Sequence, residues 1–302
     1  MNPQYLKSDL LMLLASLLAA ISWIFSKEVL LGLEPILFMG CRFMLAGLLI
    51  ALFARSELLL FTLRDLSRVT LVGVIFAAGL GFWILGLFHG THIGIGAFLT
   101  SLGAIFAPLL APLFGDQPTR FAWFAVPVAV IGAAFLTLTS NFVFGLGEWY
   151  YLASAISFAI YLNINSRAAG KTPLRALTSI QLLTAGAVLL PISLLTESWT
   201  INAEISILGW FLASVLIGTS LRFFVQTYSL KLGPASRGAL ILTLEPVWVA
   251  ILGMIWLKET MSASQLLGCT LILLAVFISR ADLLLKVFCK SKRLRSNGHS
   301  AS

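Results

Sequence analysis

Ten apolar runs, each close to bilayer length, constrain this chain more than any other feature. They fall at roughly 9–28, 35–54, 69–88, 92–114, 121–139, 147–165, 174–195, 207–230, 235–257 and 263–281. About 20 apolar residues in helical form cross the hydrocarbon core. In lipid, a helix satisfies every backbone group within its own segment. Only 11% of residues are charged, where a soluble domain is nearer a quarter. The expectation is an all-α membrane protein of ten transmembrane helices. The first run has only Lys7 before it and no cleavage site ahead of a soluble domain, so it reads as a retained span rather than a signal peptide.

A second constraint is internal repetition. Gly233 to Ser279 holds two apolar helices joined by Lys258-Glu259-Thr260-Met261-Ser262. Subtracting 143 lands on Gly90 to Leu136: Ala239 falls on Gly96, Thr243 on Thr100, Pro246 on Gly103, Ala250 on Ala107, and the turn on Gly115-Asp116…Thr119. The small residues of each copy share one helix face, where helices approach closely in lipid. Upstream, Pro35…Arg42…Ala46-Gly47 resembles Pro173…Gln181…Ala185-Gly186 at a shift of 138 to 139. The repeat divides the chain into residues 1–139, 140–281 and a basic tail, 282–302. Five spans per half is an odd number, so the halves lie in opposite orientation. Inverted repeats are a recurring plan of secondary transporters, with the site near mid-membrane between the halves.

Charge supports the even span count. With connections numbered alternately, one side collects sixteen of the twenty Lys and Arg residues, among them Arg55, Arg64, Arg68, Arg167, Lys171, Arg175 and the tail cluster. The other side holds Lys27 and Lys258. The positive-inside rule then places both termini in the cytoplasm. The net charge of +8 is an orientation signal and gives no reason to expect a nucleic-acid partner; the tail is expected to rest on anionic lipid.

Intramembrane polar residues carry the functional expectations, since their burial is costly unless paired or wet. Arg222, Gln226, Ser229 and Gly233 share a face of span eight, matched in span three by Gly79, Trp83, Gly86 and Gly90, a candidate cavity wall. Arg222 opens on that cavity or a buried pair, or else snorkels. Glu245, beside Pro246, is its natural partner, because the two depths agree to a few ångströms at ~1.5 Å per residue. That pair either switches with substrate or a proton, or is permanent; Glu245 alternatively serves the helix loosened by Pro246. Arg42 reads as a second station for a carboxylate or phosphate, or as a snorkelling arginine. Trp23, Trp83 and Tyr161 are candidate aromatic walls, or packing and interface residues; Thr100 and Thr243 are candidate hydrogen-bonding groups.

Other chemistries lack an anchor. Cys41, Cys269 and Cys289 are scattered, without disulfide or metal spacing. His89 and His92 are expected in a solvated turn rather than on a metal. There is no phosphate loop with lysine, HExxH or GxSxG motif. No cofactor and no enzymatic activity are expected.

The chain resembles the ten-span EamA branch of the drug/metabolite transporter superfamily. The resemblance rests on Trp23…Lys27, Pro35…Arg42-Phe43…Ala46, Ala97-Phe98-Leu99-Thr100 and above all Leu244-Glu245-Pro246…Trp256-Leu257-Lys258-Glu259 followed by Gln265…Gly268. Membership implies two inverted five-helix repeats around a central cavity that opens alternately to either side, usually for export or exchange. Gly103 stands where that family usually has proline, with Pro108 one turn on, so span four lacks its usual kink residue; Asp116 replaces a glutamate. The expectation is a secondary transporter of the cell inner membrane, monomer or homodimer, exporting or exchanging a small metabolite such as an amino acid or amphipathic anion. Arg42 and Arg222 would hold a carboxylate, Trp23 and Trp83 would cover an apolar part, and Gln226, Thr100 and Thr243 would add hydrogen bonds. Proton coupling through Glu245 stays open. The alternative is import or exchange of an anionic or adenosyl metabolite; the remote one is a membrane enzyme or sensor.

Overall fold

The computed structural model describes residues 3–59, 61–115, 120–137, 144–169, 172–199, 204–232, 241–279 and 281. Gly233, Ala239, Asp116 and Thr119, which entered the repeat, lie outside these residues, as does the tail 282–302. Among the described residues the structure is helical. Helices α1 (Pro3–Val29), α2 (Pro35–Leu58) and α3 (Leu63–His89) are the first three spans. Span four comprises α4 (Ile93–Ser101), α5 (Gly103–Leu110) and a 3-10 turn, Ala111–Phe114. Helices α6 (Arg120–Thr137), α7 (Leu146–Ala169) and α8 (Leu174–Thr196) follow. Span eight is α9 (Ile205–Ala213), a π-helical run Ser214–Leu221 and α10 (Arg222–Leu232). The last two are α11 (Glu245–Trp256) and α12 (Ala263–Ser279). Six described stretches are singly long and apolar enough to cross a bilayer, including Ile93–Phe114 and Ile205–Leu230 across their breaks.

The distribution of side chains is that of a lipid-embedded bundle. Large apolar residues face outward, such as Leu52, Phe53, Phe124, Leu195, Ile205 and Ile255. Small and hydroxyl residues lie inside, among them Ser16, Ser22, Ser26, Ser154 and Ser179. Where lipid tails are as apolar as leucine, close approach and interhelical hydrogen bonds hold helices together.

The pairing of α2 with α8 displays the repeat. A Cβ on Gly47 would meet the Leu183 backbone at 2.8 Å, and one on Gly186 would meet the Met44 backbone at 2.7 Å. These are the same contact made twice, because Gly47 and Gly186, and Met44 and Leu183, are repeat mates. The helix ends repeat the pattern. Glu197, just past α8, accepts from the Ile36 and Leu37 N–H groups that open α2, at 2.7 and 2.8 Å. Glu57, near the end of α2, accepts from Ala176 N–H at the start of α8 at 3.3 Å and pairs with Arg175. A carboxylate at a helix N-terminus meets both the orphan N–H groups and the positive end of the dipole. Such reciprocal capping requires the two helices to run in opposite directions.

The 143-residue repeat also holds in the backbone. Gly115 has φ 84° and Lys258, its mate, has φ 56°. Both end a span in the left-handed region, which costs a non-glycine residue roughly 1–2 kcal/mol.

Both copies of the span that carries this repeat are broken partway. Span nine turns at Thr243–Leu244 before α11 begins at Glu245. Span four breaks at Leu102 despite lacking its proline there. The Thr100 hydroxyl donates to Gly96 C=O at 2.9 Å and the Ser101 hydroxyl to Phe98 C=O at 2.6 Å, back-bonding that bends helices. Pro108 then removes a further donor from the same span.

Candidate functional site

The centre of the site is Glu245. It occupies the first turn of α11, where the missing donor of Pro246 leaves no orphan and the half-helix dipole favours the carboxylate. Its Oε1 accepts from Trp23 Nε1 of α1 at 3.1 Å. Its Oε2 lies 3.8 Å from Arg222 Nη2 of α10. The expected pairing of Arg222 with Glu245 is therefore present, with Trp23 as a third member. Both charged side chains are about a quarter exposed, 26% each, so the pair borders open space. Arg222 lies over the Phe223 ring, 5.2 Å from its centroid, and its Nε has no partner.

One turn along α10, Gln226 borders a cavity of about 80 Å³ between α7, α8 and α10, to which Tyr161 also contributes. The Tyr161 hydroxyl donates to Gln181 Oε1 at 3.0 Å, and Gln181 Nε2 donates to Asn165 Oδ1 at 2.6 Å. Gln226 Oε1 is buried without a partner. An unmet buried acceptor costs roughly 1–3 kcal/mol, so a ligand group or water supplying a donor there is stabilised.

Trp23 and Trp83 do not face open space in this conformation. They are 4% and 8% exposed and pack edge to face, with ring centroids 4.8 Å apart. Tyr151, fully buried, stands 6.0 Å from Trp23. Above this aromatic layer, Lys27 Nζ donates to Leu87 C=O and Gly90 C=O at 2.9 and 3.3 Å, while Glu259 accepts from Ile93 and Gly94 N–H at 2.8 and 3.4 Å. These hydrogen bonds and the buried aromatic layer tie together one end of the bundle. The amide-lined cavity lies toward the opposite end.

Arg42 neither snorkels nor faces the cavity. It is 4% exposed, and each of its nitrogens donates to a hydroxyl: Nε to Thr219 at 2.7 Å, Nη1 to Ser26 at 2.8 Å and Nη2 to Ser22. The rings of Phe38 and Phe43 flank it. The expected role as an open second anion station is not available to Arg42 in this conformation. The π-helical run delivers Thr219, whose hydroxyl also donates to Ser214 C=O at 3.0 Å.

Other expected residues sort as follows. Thr100 and Thr243 are half-buried at the two helix breaks. Ser229 faces α1, where it exchanges hydrogen bonds with Ser8. The glycine face of α3 is a packing surface: Gly79 lies against Phe158, and Gly86 and Gly90 against Tyr151. Sequence reasoning passed over Ser22, Ser26, Thr219, Asn165, Thr178 and Thr227. A signal existed for two of them, since Ser22 and Ser26 are four apart on one face of α1.

Two segments of the chain, residues 6–138 and 145–281, match the EamA-like transporter family. An uncharacterized transporter of Archaeoglobus fulgidus is 25% identical over 225 residues, covering 72% of this chain and 80% of that protein. The uncharacterized transporter YvbV of Bacillus subtilis is 26% identical over 296 residues, covering 89% of this chain and 90% of that protein. The threonine/homoserine exporter RhtA of Escherichia coli K12 is 28% identical over 165 residues, 53% of this chain and 55% of the exporter. A solved crystal structure superimposes with a TM-score of 0.64 at 18% identity, over 93% of this chain and 98% of that one; the likeness is one of fold.

Proposed function

Because the chain belongs to the EamA-like transporter family, we propose that it is a secondary transporter exporting or exchanging a small amino acid or related amphipathic anion by alternating access. The observation that carries this reading is the Arg222 guanidinium, a quarter exposed, with an unpartnered Nε and a carboxylate held 3.8 Å away by Trp23. A substrate carboxylate has the exposed part of the Arg222 guanidinium to meet, and a substrate ammonium has Glu245 beside it. One relative is a threonine/homoserine exporter, which favours the amino-acid class.

In this reading the two halves, 1–139 and 140–281, rock against each other about the α2–α8 pair. Substrate shifts the equilibrium by binding the two states unequally. The basic asymmetry of the connections supports a cytoplasmic location for both termini in a bacterial inner membrane. Arg42 takes part as the buried tie between α1, α2 and span eight.

The test is counterflow in proteoliposomes across amino acids, their carboxamides and their decarboxylated amines. Saturable movement confined to compounds with a free carboxylate supports the reading. No movement of any amino acid, or equal movement of carboxylates and carboxamides, refutes it.

A further inference from the structure

The Arg42 cage and the amide-lined cavity are repeat mates. Adding 139 to Arg42, Ser26 and Ser22 gives Gln181, Asn165 and Tyr161. The hydrogen bonds are conserved with the positions: Arg42 bonds Ser26 and Ser22, and Gln181 bonds Asn165 and Tyr161. The first triangle is sealed and charged. The second is neutral and opens on the cavity.

The sealed triangle is completed by a third group, the Thr219 hydroxyl on Arg42 Nε. The mate of Thr219, at a shift of 143, is Phe76, whose ring packs 4.7 Å from Tyr161. The neutral triangle therefore lacks the hydroxyl that its mate receives from the protein. Among the described residues no charged side chain lines the cavity, while Thr178, Thr227 and Gln226 do. The Thr178 hydroxyl spends its proton on Leu174 C=O, leaving lone pairs, and Gln226 Oε1 is orphaned. Among the described lining residues a charged ligand group would find no counter-ion, and Arg222, a turn away, is taken by the substrate carboxylate in the reading above. A hydroxyl or carboxamide both donates and accepts, so it satisfies Gln226 whichever way its amide turns. One helical turn, about 6 Å, separates Arg222 from Gln226. A glutamine carboxamide spans about that distance from its own carboxylate, and a threonine hydroxyl spans less.

We propose that Gln181, Tyr161, Asn165 and Gln226 form a specificity subsite for an uncharged hydroxyl- or carboxamide-bearing side chain of the substrate. This rests on the reading that Arg222 takes the substrate carboxylate. Sites built to hydrogen-bond a hydroxyl reject the analogue that lacks it.

The experiment is counterflow in proteoliposomes with threonine against valine, which differ by hydroxyl for methyl at equal shape, and with glutamine, aspartate and lysine as further competitors. The wild type is expected to favour threonine over valine by roughly tenfold or more and to accept glutamine ahead of aspartate and lysine. Gln181→Leu should bring threonine and valine within about threefold of each other while valine keeps its own KM. Asn165→Leu and Thr227→Val are parallel variants should Gln181→Leu fail to fold, and the wild-type ratio alone also decides. A threonine-to-valine ratio near one in the wild type, or discrimination that survives all the variants that fold, overturns the subsite. The two readings fail separately. A ratio near one with transport abolished in Arg222→Ala removes the subsite and leaves the carboxylate site standing. A ratio lost in Gln181→Leu with Arg222→Ala unchanged does the reverse.

Discussion

Replacing Arg222 by alanine should raise the KM for a carboxylate-bearing substrate by about 30- to 150-fold, from a loss of roughly 2–3 kcal/mol at 1.4 kcal/mol per decade. The figure follows from the site. At 3.8 Å, the gross attraction between Arg222 and Glu245 is about 4 kcal/mol at an effective dielectric of about 20. Both side chains are a quarter exposed, so water screens much of that and the net value of the resident pair is nearer ~1 kcal/mol. A substrate carboxylate that displaces Glu245 meets the exposed edge of the same guanidinium, whose Nε is buried and has yet to find a partner. It therefore gains one or two charge-assisted hydrogen bonds, worth about 1.5–3 kcal/mol each before the cost of displacing Glu245. Arg222→Lys keeps the charge but not the fork, so its KM should fall between wild type and Arg222→Ala. The assay is counterflow with a labelled amino acid beside its carboxamide, and the carboxamide should respond little to either substitution. A KM for the free acid within threefold of wild type in Arg222→Ala, in protein that unfolds at the normal temperature, would refute the binding role.

Three further outcomes are expected. Glu197→Ala strands the Ile36 and Leu37 N–H groups and should cost about 2–4 kcal/mol of stability, read as a lower thermal midpoint in detergent, with Glu197→Gln losing about half as much. Lys258→Gly relieves a left-handed residue and should be neutral or stabilising by ~1 kcal/mol, whereas Gly115→Ala should lose about the same amount; equal effects from both would count against the repeat-matched turns. Trp23→Phe removes the donor to Glu245 and frees that carboxylate to hold Arg222 more tightly. The KM of carboxylate substrates should then rise about three- to tenfold, on the scale of one lost hydrogen bond, and a lower KM would contradict the arrangement.

The repeat was legible because it is written in residues with few structural uses. Gly47 and Gly186 permit backbone contact that any Cβ would block, and the offset of 143 carries over to φ at Gly115 and Lys258. The Arg222–Glu245 pair was legible because an intramembrane charge requires a partner and the two depths match. The surroundings of Arg42 were not. Serine and threonine in apolar helices often bond their own backbone, as Thr100 and Thr178 do, so the four-residue spacing of Ser22 and Ser26 placed them on one face of α1 without marking them as guanidinium partners. Thr219 reaches Arg42 from a π-helical run, which has no residue signature. The glycine face of α3 looked like a cavity wall because small residues serve equally as lining and as a bed for a ring. Tyr151 and Phe158 fill that bed, and only the sixth span's rotation decides it.

The claim on which everything turns is that the two ends of the bundle open in alternation around Glu245 and Arg222. Electron–electron resonance distances between spin labels at Phe88 and Ile255, exposed at the end tied by Lys27 and Glu259, and at Ser166 and Tyr228, exposed toward the end of the amide-lined cavity, address it directly. Adding transported substrate should shift the two distance distributions in opposite senses, the first pair separating as the second draws together. Two distributions that stay fixed, or that widen together, would contradict alternating access.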